Sequence, residues 1–278
     1  MYTAYRVEMS KMFSKWRTFI GFIALGVLIP VVVAAMGVEG GQYLGFATQT
    51  LQQSFDFTGN LMNGYTVSYI IFGSLYVHVP FLIALVAGEV LAGEATMGTY
   101  RILLTRPLSR HTMVLAKYLA TVTYTNLLVV FMAALSLGLG VSLLGTGEVV
   151  VIRTQITILS ESDIWWRFAL AYGYAALSMT TVATVAFLFS SLVENAIGPI
   201  MSTMAIIIVM TIISAIDIPL FDYLRPIFFT NHMNGWKFLF DNPVNWNKVG
   251  VSASVLLSHI VACYTATQII MRRKDILT

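Results

Sequence analysis

Long apolar runs that contain no Asp, Glu, Lys or Arg recur along the chain. A helix needs roughly 20 apolar residues to cross about 30 Å of hydrocarbon. Six runs are long enough, and they cover residues 18–38, 57–88, 118–147, 168–193, 195–216 and 249–271. Because lipid offers the backbone no hydrogen-bond partners, each run is predicted to form a helix. The pattern therefore predicts an all-α integral membrane protein with six transmembrane helices.

The first run has an alternative interpretation as a signal peptide, because four basic residues precede it: Arg6, Lys11, Lys15 and Arg17. The run is longer than the apolar region of an ordinary signal peptide. We therefore expect a retained transmembrane helix, preceded by a separate segment over residues 1–17.

The composition agrees with a membrane protein and excludes several other classes. Of the 278 residues, 58% are hydrophobic and 10% are charged, whereas a soluble domain is about 45–50% apolar and about 25% charged. The net charge of +3 is too small to indicate a nucleic-acid-binding surface. The single cysteine, Cys263, excludes an internal disulfide and multi-cysteine metal motifs.

Basic residues are divided unevenly between the segments that join the apolar runs. Eleven Lys and Arg residues fall in the N-terminal segment, around residues 89–117 and in the C-terminal tail, whereas the remaining loops hold five. Short loops rich in Lys and Arg stay in the cytoplasm. The imbalance predicts that both termini are cytoplasmic.

Catalytic motifs are absent from the sequence. A phosphate-binding loop is excluded because Gly is never followed by Lys. The four histidines form no His-Glu-x-x-His pair, and no Gly-x-Ser-x-Gly motif occurs. We therefore predict a protein that is not an enzyme and has no metal site or cofactor of its own. If the protein uses ATP, a partner must hydrolyse it.

The segment between the second and third runs, residues 89–110, is the most informative part of the sequence. If it is helical, Glu94, Gly98 and Arg101 share one face, with the acid towards the N-terminus. Pro107 then turns the chain, and Ser109 can cap the next helix. The sequence predicts a short amphipathic helix at the membrane surface that a cytosolic partner can bind, although an ordinary solvated loop is the alternative.

This segment resembles the linker of type-2 ABC-transporter permeases. The resemblance rests on the pattern Glu94-x-x-x-Gly98-Thr99-x-Arg101-x-Leu103-Leu104-x-x-Pro107-x-Ser109-Arg110, followed by Lys117. In that family the linker forms a coupling helix that docks on an ATP-binding subunit. The basic segment 1–17 is similar to the family's elbow helix, so residues 1–278 are expected to form a single transmembrane permease domain.

The resemblance implies half of an ATP-driven exporter in a bacterial or archaeal cytoplasmic (inner) membrane. A second copy of the permease would complete the pathway, two ATP-binding subunits would hold ATP and Mg, and a periplasmic accessory protein is a further candidate partner. The residues implied to meet the ATP-binding subunit are Glu94, Gly98, Thr99, Arg101, Arg106 and Pro107. Nucleic acid is not an expected partner.

Two loops on the opposite side carry weaker signals. Residues 217–248 combine three prolines with many aromatic residues, which is typical of the membrane interface. We expect short helices dipping into the outer leaflet, similar to the family's re-entrant pair. Residues 148–160 are rich in β-branched side chains and predict a short hairpin.

Alternative functions stay open. The chain could be an ion-coupled secondary transporter that moves protons through His78, Glu89 or His259, since an ionisable group inside a membrane is costly and often functional. Asn126 could line a pathway or simply bond between helices. A non-transporting membrane component of an ATP-driven assembly is a third candidate. The sequence does not specify the cargo, although the shortage of charges within the runs favours a hydrophobic or amphipathic one.

Overall fold

The computed structural model describes residues 1–48, 62–96, 109–153 and 156–274. These residues are mostly helical. The elements in chain order are α1 Tyr2–Phe13, α2 Trp16–Thr48, α3 Gly64–Ala87, α4 Glu89–Thr96, α5 Arg110–Leu144, β1 Val149–Ile152, β2 Ile156–Leu159, α6 Glu161–Leu192, α7 Ile197–Ala215, α8 Pro219–Asp222, α9 Phe229–Met233, the 3₁₀ helix Asn234–Phe240 and α10 Trp246–Arg273.

Six of the described helical segments are long and apolar enough to cross a membrane. They are α2, α3 together with α4, α5, α6, α7 and α10. The prediction of six long apolar helices is therefore confirmed, and the chain has the architecture of a multi-pass membrane protein. The predicted hairpin is also confirmed, because β1 and β2 pair antiparallel with Val149 opposite Leu159. This hairpin is the one departure from an all-helical fold in the described part of the chain.

Helix α6 is the central element of the bundle. In its most apolar 18-residue stretch, 67% of the residues are buried, compared with 17% in the corresponding stretch of α7 and 11% in that of α10. It contacts α3, α5, α7, α10 and the 3₁₀ helix. The outer helices expose large apolar side chains such as Val31, Val130 and Ile208. Large exposed apolar side chains on several helices suit contact with lipid.

The helices alternate in direction, so the bundle has two ends. The first end holds α1, α4, the start of α5 and the C-terminus of α10, where Arg110 Nη1 donates to the carbonyls of Arg272 (3.2 Å) and Lys274 (3.0 Å). The second end holds the hairpin and residues 216–245. There, Gly64 N donates to Gly145 O at 2.9 Å and joins the start of α3 to the end of α5.

The segment 217–248 folds into the predicted short helices, and part of it is buried inside the protein. Phe229, Trp236 and Phe240 are at most 1% exposed and belong to the apolar core. The Trp236 ring packs on Phe72 of α3, with ring centroids 4.4 Å apart. Within the same segment, Tyr223 is 82% exposed. The aromatic composition therefore reflects core packing in the second half of the segment and surface exposure in the first.

Candidate functional site

Helix α1 packs against α5 at the first end of the bundle. Met12 is buried in an apolar cluster with Val86, Ala120 and Tyr124. Tyr5 Oη lies 3.0 Å from Thr123 Oγ1 of α5. Burial of the apolar face of α1 fixes its polar side chains over the junction of α4 and α5.

Four charged side chains from α1, α4 and α5 form what we call the ion cluster: Glu8, Lys11, Glu94 and Lys117. Lys117 Nζ lies 2.7 Å from Glu8 Oε2 and 2.6 Å from Glu94 Oε1. Lys11 Nζ lies 3.2 Å from Glu8 Oε1 and 3.3 Å from the same Glu94 oxygen. Two ammonium groups therefore alternate with two carboxylates, and the cluster joins three helices.

The ion cluster is withdrawn from water on one side. The side chains of Lys117 and Glu94 are 1% and 9% exposed, whereas Lys11 is 47% exposed. A buried charge is tolerated only when it is paired and hydrogen-bonded, because it has lost its hydration. Lys117 therefore depends on both carboxylates.

Two members of the ion cluster have shifted pKa values. Burial by itself raises the pKa of Glu8, but the charges and hydrogen bonds of Lys117 and Lys11 outweigh it, and the net pKa is lowered. Burial by itself lowers the pKa of Lys11, but Glu8 and Glu94 outweigh it, and the net pKa is raised. Both shifts favour the charged forms and so favour the docked position of α1.

A second set of ion pairs lies beside the cluster and shares a cavity of about 230 Å³ with it. Lys15 Nζ is 3.1 Å from Glu89 Oε1, and Arg17 Nη1 is 3.3 Å from Glu89 Oε2. These pairs tie the turn between α1 and α2 to the first residue of α4. Glu89 is thus held by two basic groups of the N-terminal segment.

The junction of α3 and α4 is held by a serine of the central helix. Ser190 Oγ of α6 accepts hydrogen bonds from Leu91 N (3.0 Å) and Ala92 N (2.9 Å), and it donates to Gly88 O (2.6 Å). The hydroxyl therefore satisfies backbone groups that the break at Gly88 leaves without helical partners. The direction of α4, and with it the position of Glu94, depends on α6.

Of the residues predicted to meet a partner, the structure places only Glu94. It lies inside the chain, in the ion cluster, and not on an exposed surface. Ser109 is confirmed as the cap of α5, since its side chain accepts from Thr112 N at 3.2 Å. Gly98, Thr99, Arg101, Arg106 and Pro107 lie outside the described residues.

The residues predicted for an ion or substrate pathway are not brought together. His78 is exposed, with Nδ1 2.9 Å from Ser74 O of its own helix. His259 makes the same contact with Val255 O at 2.9 Å. Asn126 Nδ2 donates to Val122 O at 2.8 Å and lies 3.5 Å from Thr180 Oγ1 of α6. In the described ranges, no three His, Cys, Asp or Glu residues are grouped to hold a metal ion.

Sequence reasoning overlooked Glu8 and Lys117 as parts of one site. They belong to different predicted segments and stand 109 residues apart. One signal was available, because Lys117 interrupts the otherwise apolar stretch that follows His111. A lone basic residue in such a stretch needs a carboxylate partner.

Comparison with known proteins assigns the chain to a family. The family model described as "Protein of unknown function (DUF2705)" matches residues 22–277. The chain belongs to the DUF2705 family. The DUF2705 match includes Glu89, Glu94 and Lys117, whereas α1 precedes it. The site therefore joins the matched region to the segment before it.

The chain is also similar to "Uncharacterized protein YhcI" of Bacillus subtilis (strain 168). The two are 26% identical over 174 residues, which cover 60% of this chain and 56% of the relative. The match thus spans little more than half the length of that relative.

Proposed function

We propose that this protein is the transmembrane permease subunit of an ATP-driven ABC exporter, worked by a separate ATP-binding subunit. The observation that carries the proposal is the ion cluster, which joins α1 to both flanks of residues 97–108. Glu94 lies just before that stretch and Lys117 shortly after it. A force applied to the stretch would therefore reach α3 and α5 together, with α1 as a brace.

The geometry favours a different role for Glu94 from the one that the resemblance implied. A buried carboxylate bound to Lys117 is suited to hold α4 against α5 and is poorly placed to touch a partner. We therefore propose Glu94 as a positioning residue. Gly98, Thr99, Arg101, Arg106 and Pro107 remain the proposed contacts with the ATP-binding subunit, and complementary charges there would set the register of docking.

Two further features support the exporter model. Helix α7 is the fifth span, and little of its apolar surface is covered within the chain, which leaves room for a second copy along it. The second end carries the hairpin and the exposed residues around Tyr223, where an accessory protein could bind.

In this proposal the first end is cytoplasmic and the membrane is a bacterial or archaeal inner membrane. ATP and Mg bind to the partner subunit.

Site-specific cross-linking tests the partner. In a Cys263→Ala background, Arg101→Cys carries a single thiol in the proposed contact, and Tyr223→Cys is the matched control at the second end. We expect Arg101→Cys to cross-link in native membranes to a protein that hydrolyses ATP, and Tyr223→Cys to give no such product. If the purified chain transports without nucleotide in liposomes and no ATPase is cross-linked, the proposal is wrong.

A second variant tests the positioning role of Glu94. Glu94→Gln, made in the Cys263→Ala and Arg101→Cys chain, should keep the cross-link to the ATP-binding subunit. With Ile208→Cys as the only thiol instead, Glu94→Gln should abolish the ATP-dependent change in thiol accessibility on α7. Glu161 is an exposed acid at the second end. Its variant Glu161→Gln is the control and should keep both the cross-link and the ATP-dependent change in thiol accessibility. Loss of the cross-link in Glu94→Gln would instead make Glu94 a direct contact.

A further inference from the structure

A groove of about 420 Å³ opens at the second end of the bundle, far from the ion cluster. We call it the basic groove. It lies between the chain around α9 and the first turns of α10, and its lining includes Arg225, Asn231, His232, Asn247, Lys248 and Val251. None of the residues that line it is acidic.

The positive charge in the basic groove comes from Arg225 and Lys248. His232 needs no charge, because Nε2 can donate to Pro226 O (2.8 Å) while Nδ1 accepts from Ser252 Oγ (3.1 Å). Lys248 has no ion pair within the described residues, and its Nζ sits 5.3 Å from the centroid of the Phe238 ring. A cation over an aromatic face keeps its full charge for another partner.

Arg225 is only partly satisfied by the chain. Nη1 pairs with Asp222 Oδ1 at 2.6 Å. Nη2 donates to Ile216 O at 2.6 Å and is 3.5 Å from Asp217 Oδ1. Both carboxylates are more than half exposed, so solvent weakens these pairs. The buried Nε has no hydrogen-bond partner among the described residues. A buried donor without an acceptor is costly, and an anionic ligand could supply the acceptor.

The backbone adds to this preference for an anion. The basic groove includes the N-terminus of α10, a helix of 28 residues with no acidic residue in its first turn. The positive end of its dipole is therefore not compensated from within the helix. Charged side chains and the helix end thus favour the same kind of ligand.

The surroundings of the basic groove are apolar. Ile227 and Val251 are more than half exposed, as are Leu220 and Tyr223 nearby in the chain. The groove lies at the start of α10, one of the helices long and apolar enough to cross a membrane, so a ligand there would meet both water and hydrocarbon. Such a site fits an amphipathic molecule with an anionic head.

We propose that the basic groove binds the phosphate of an anionic phospholipid, whose acyl chains lie along Ile227 and Val251. Arg225 and Lys248 hold the phosphate, and the lipid fixes the chain around α9 against α10. The proposal does not depend on an ATP-driven role for the protein.

Native mass spectrometry of the full-length protein in detergent tests the proposal. We expect phosphatidylglycerol to bind more tightly than phosphatidylcholine with the same acyl chains. Lys248→Gln should weaken the binding of phosphatidylglycerol about fivefold, and Lys248→Arg should restore it. Lys237→Gln removes a lysine of the same segment that does not line the groove, and it should bind like the wild type.

Three outcomes would overturn the proposal. The first is equal affinity for the two lipids. The second is an equal loss of affinity for phosphatidylglycerol in Lys248→Gln and Lys237→Gln. The third is binding of glycerol 1-phosphate as tight as that of the lipid, which would assign the groove to a soluble phosphate. Salt gives a separate measurement on the wild type, since higher salt should weaken the binding of phosphatidylglycerol and leave that of phosphatidylcholine unchanged.

Discussion

Lys117 carries its charge into a site where only 1% of its side chain is exposed, between Glu8 and Glu94. Lys117→Met would leave two largely buried carboxylates with only the half-exposed Lys11 as their common partner. We expect the variant to lose about 3–5 kcal/mol of stability, measured as thermal or denaturant unfolding in detergent. Arg6→Met, which removes an exposed cation from α1, should change stability by about 0.5 kcal/mol or less.

The same site offers a compensating variant. Replacing Lys117, Glu8 and Glu94 together by Met removes the buried charges of the ion cluster and leaves only Lys11, which is 47% exposed. Buried ionic groups can often be exchanged for apolar ones at little cost in stability, so the triple variant should recover most of what Lys117→Met loses. If the triple variant is as unstable as the single one, burial of unpaired charge is not the cause of the loss.

Glu8 makes the docking of α1 sensitive to acid. The folded pKa of Glu8 is lower than its ordinary value of 4.5, so its contribution to stability is complete above about pH 4.5 and is lost as the pH falls through the folded pKa. Lys11, whose pKa is raised above 10.5, contributes below that pH and does not titrate in the acid range. The difference in unfolding temperature between the wild type and Glu8→Gln should be largest near neutral pH and should close in acid. A difference that is constant with pH would contradict this account.

Among the elements, α3 and α5 cross with their backbones in close contact at Gly64 and Gly140. A Cβ on Gly140 would lie 2.7 Å from Ser68 Oγ and 2.8 Å from Gly64 O. Gly140→Ala should therefore push the helices apart and cost about 1–3 kcal/mol. Gly138 lies two residues before Gly140 and has open space around its Cβ position. Gly138→Ala should therefore be neutral or stabilising by about 1 kcal/mol or less. Unfolding of the two variants under identical conditions checks the difference, and equal losses would argue against a tight crossing.

Some elements could be predicted from sequence because they obey local rules. A span must satisfy its own backbone, so each long run without charge became a helix. Ser109 caps α5 by accepting a hydrogen bond from the backbone three residues later. The β-branched residues between 149 and 159 form two strands, β1 and β2, which pair with each other. Each of these signals is contained in a short stretch of the chain.

Other elements could not be predicted because their partners are distant in sequence. Ser190 of α6 stabilises the break at Gly88 from 102 residues away, and a serine in an apolar helix carries no sign of that role. The 3₁₀ helix places Trp236 against Phe72 of α3, whereas its aromatic composition alone suits an interface equally well. Lys117 and Glu8 form one site because α1 packs against α5, and that contact is not visible in either segment alone.

At the scale of the whole molecule, the two ends of the bundle should face opposite sides of the membrane. In the Cys263→Ala background, Arg6→Cys places a thiol at the first end and Tyr223→Cys at the second. A reagent that does not cross membranes should label Tyr223→Cys in intact cells, and Arg6→Cys only in inverted vesicles. The reverse pattern would place residues 89–110 outside the cell and would exclude a cytosolic ATP-binding partner.

The return of α1 to Lys117 also sets an order of events during synthesis. A ribosome makes Glu8 early, but the ammonium group that it binds follows 109 residues later. Until α2, α3 and the start of α5 have been translated and inserted, the N-terminal helix has no site on which to dock. Glu8 and the Glu94 carboxylate of α4 gain Lys117 as a partner only then, so this junction can form only after the first half of the bundle has assembled.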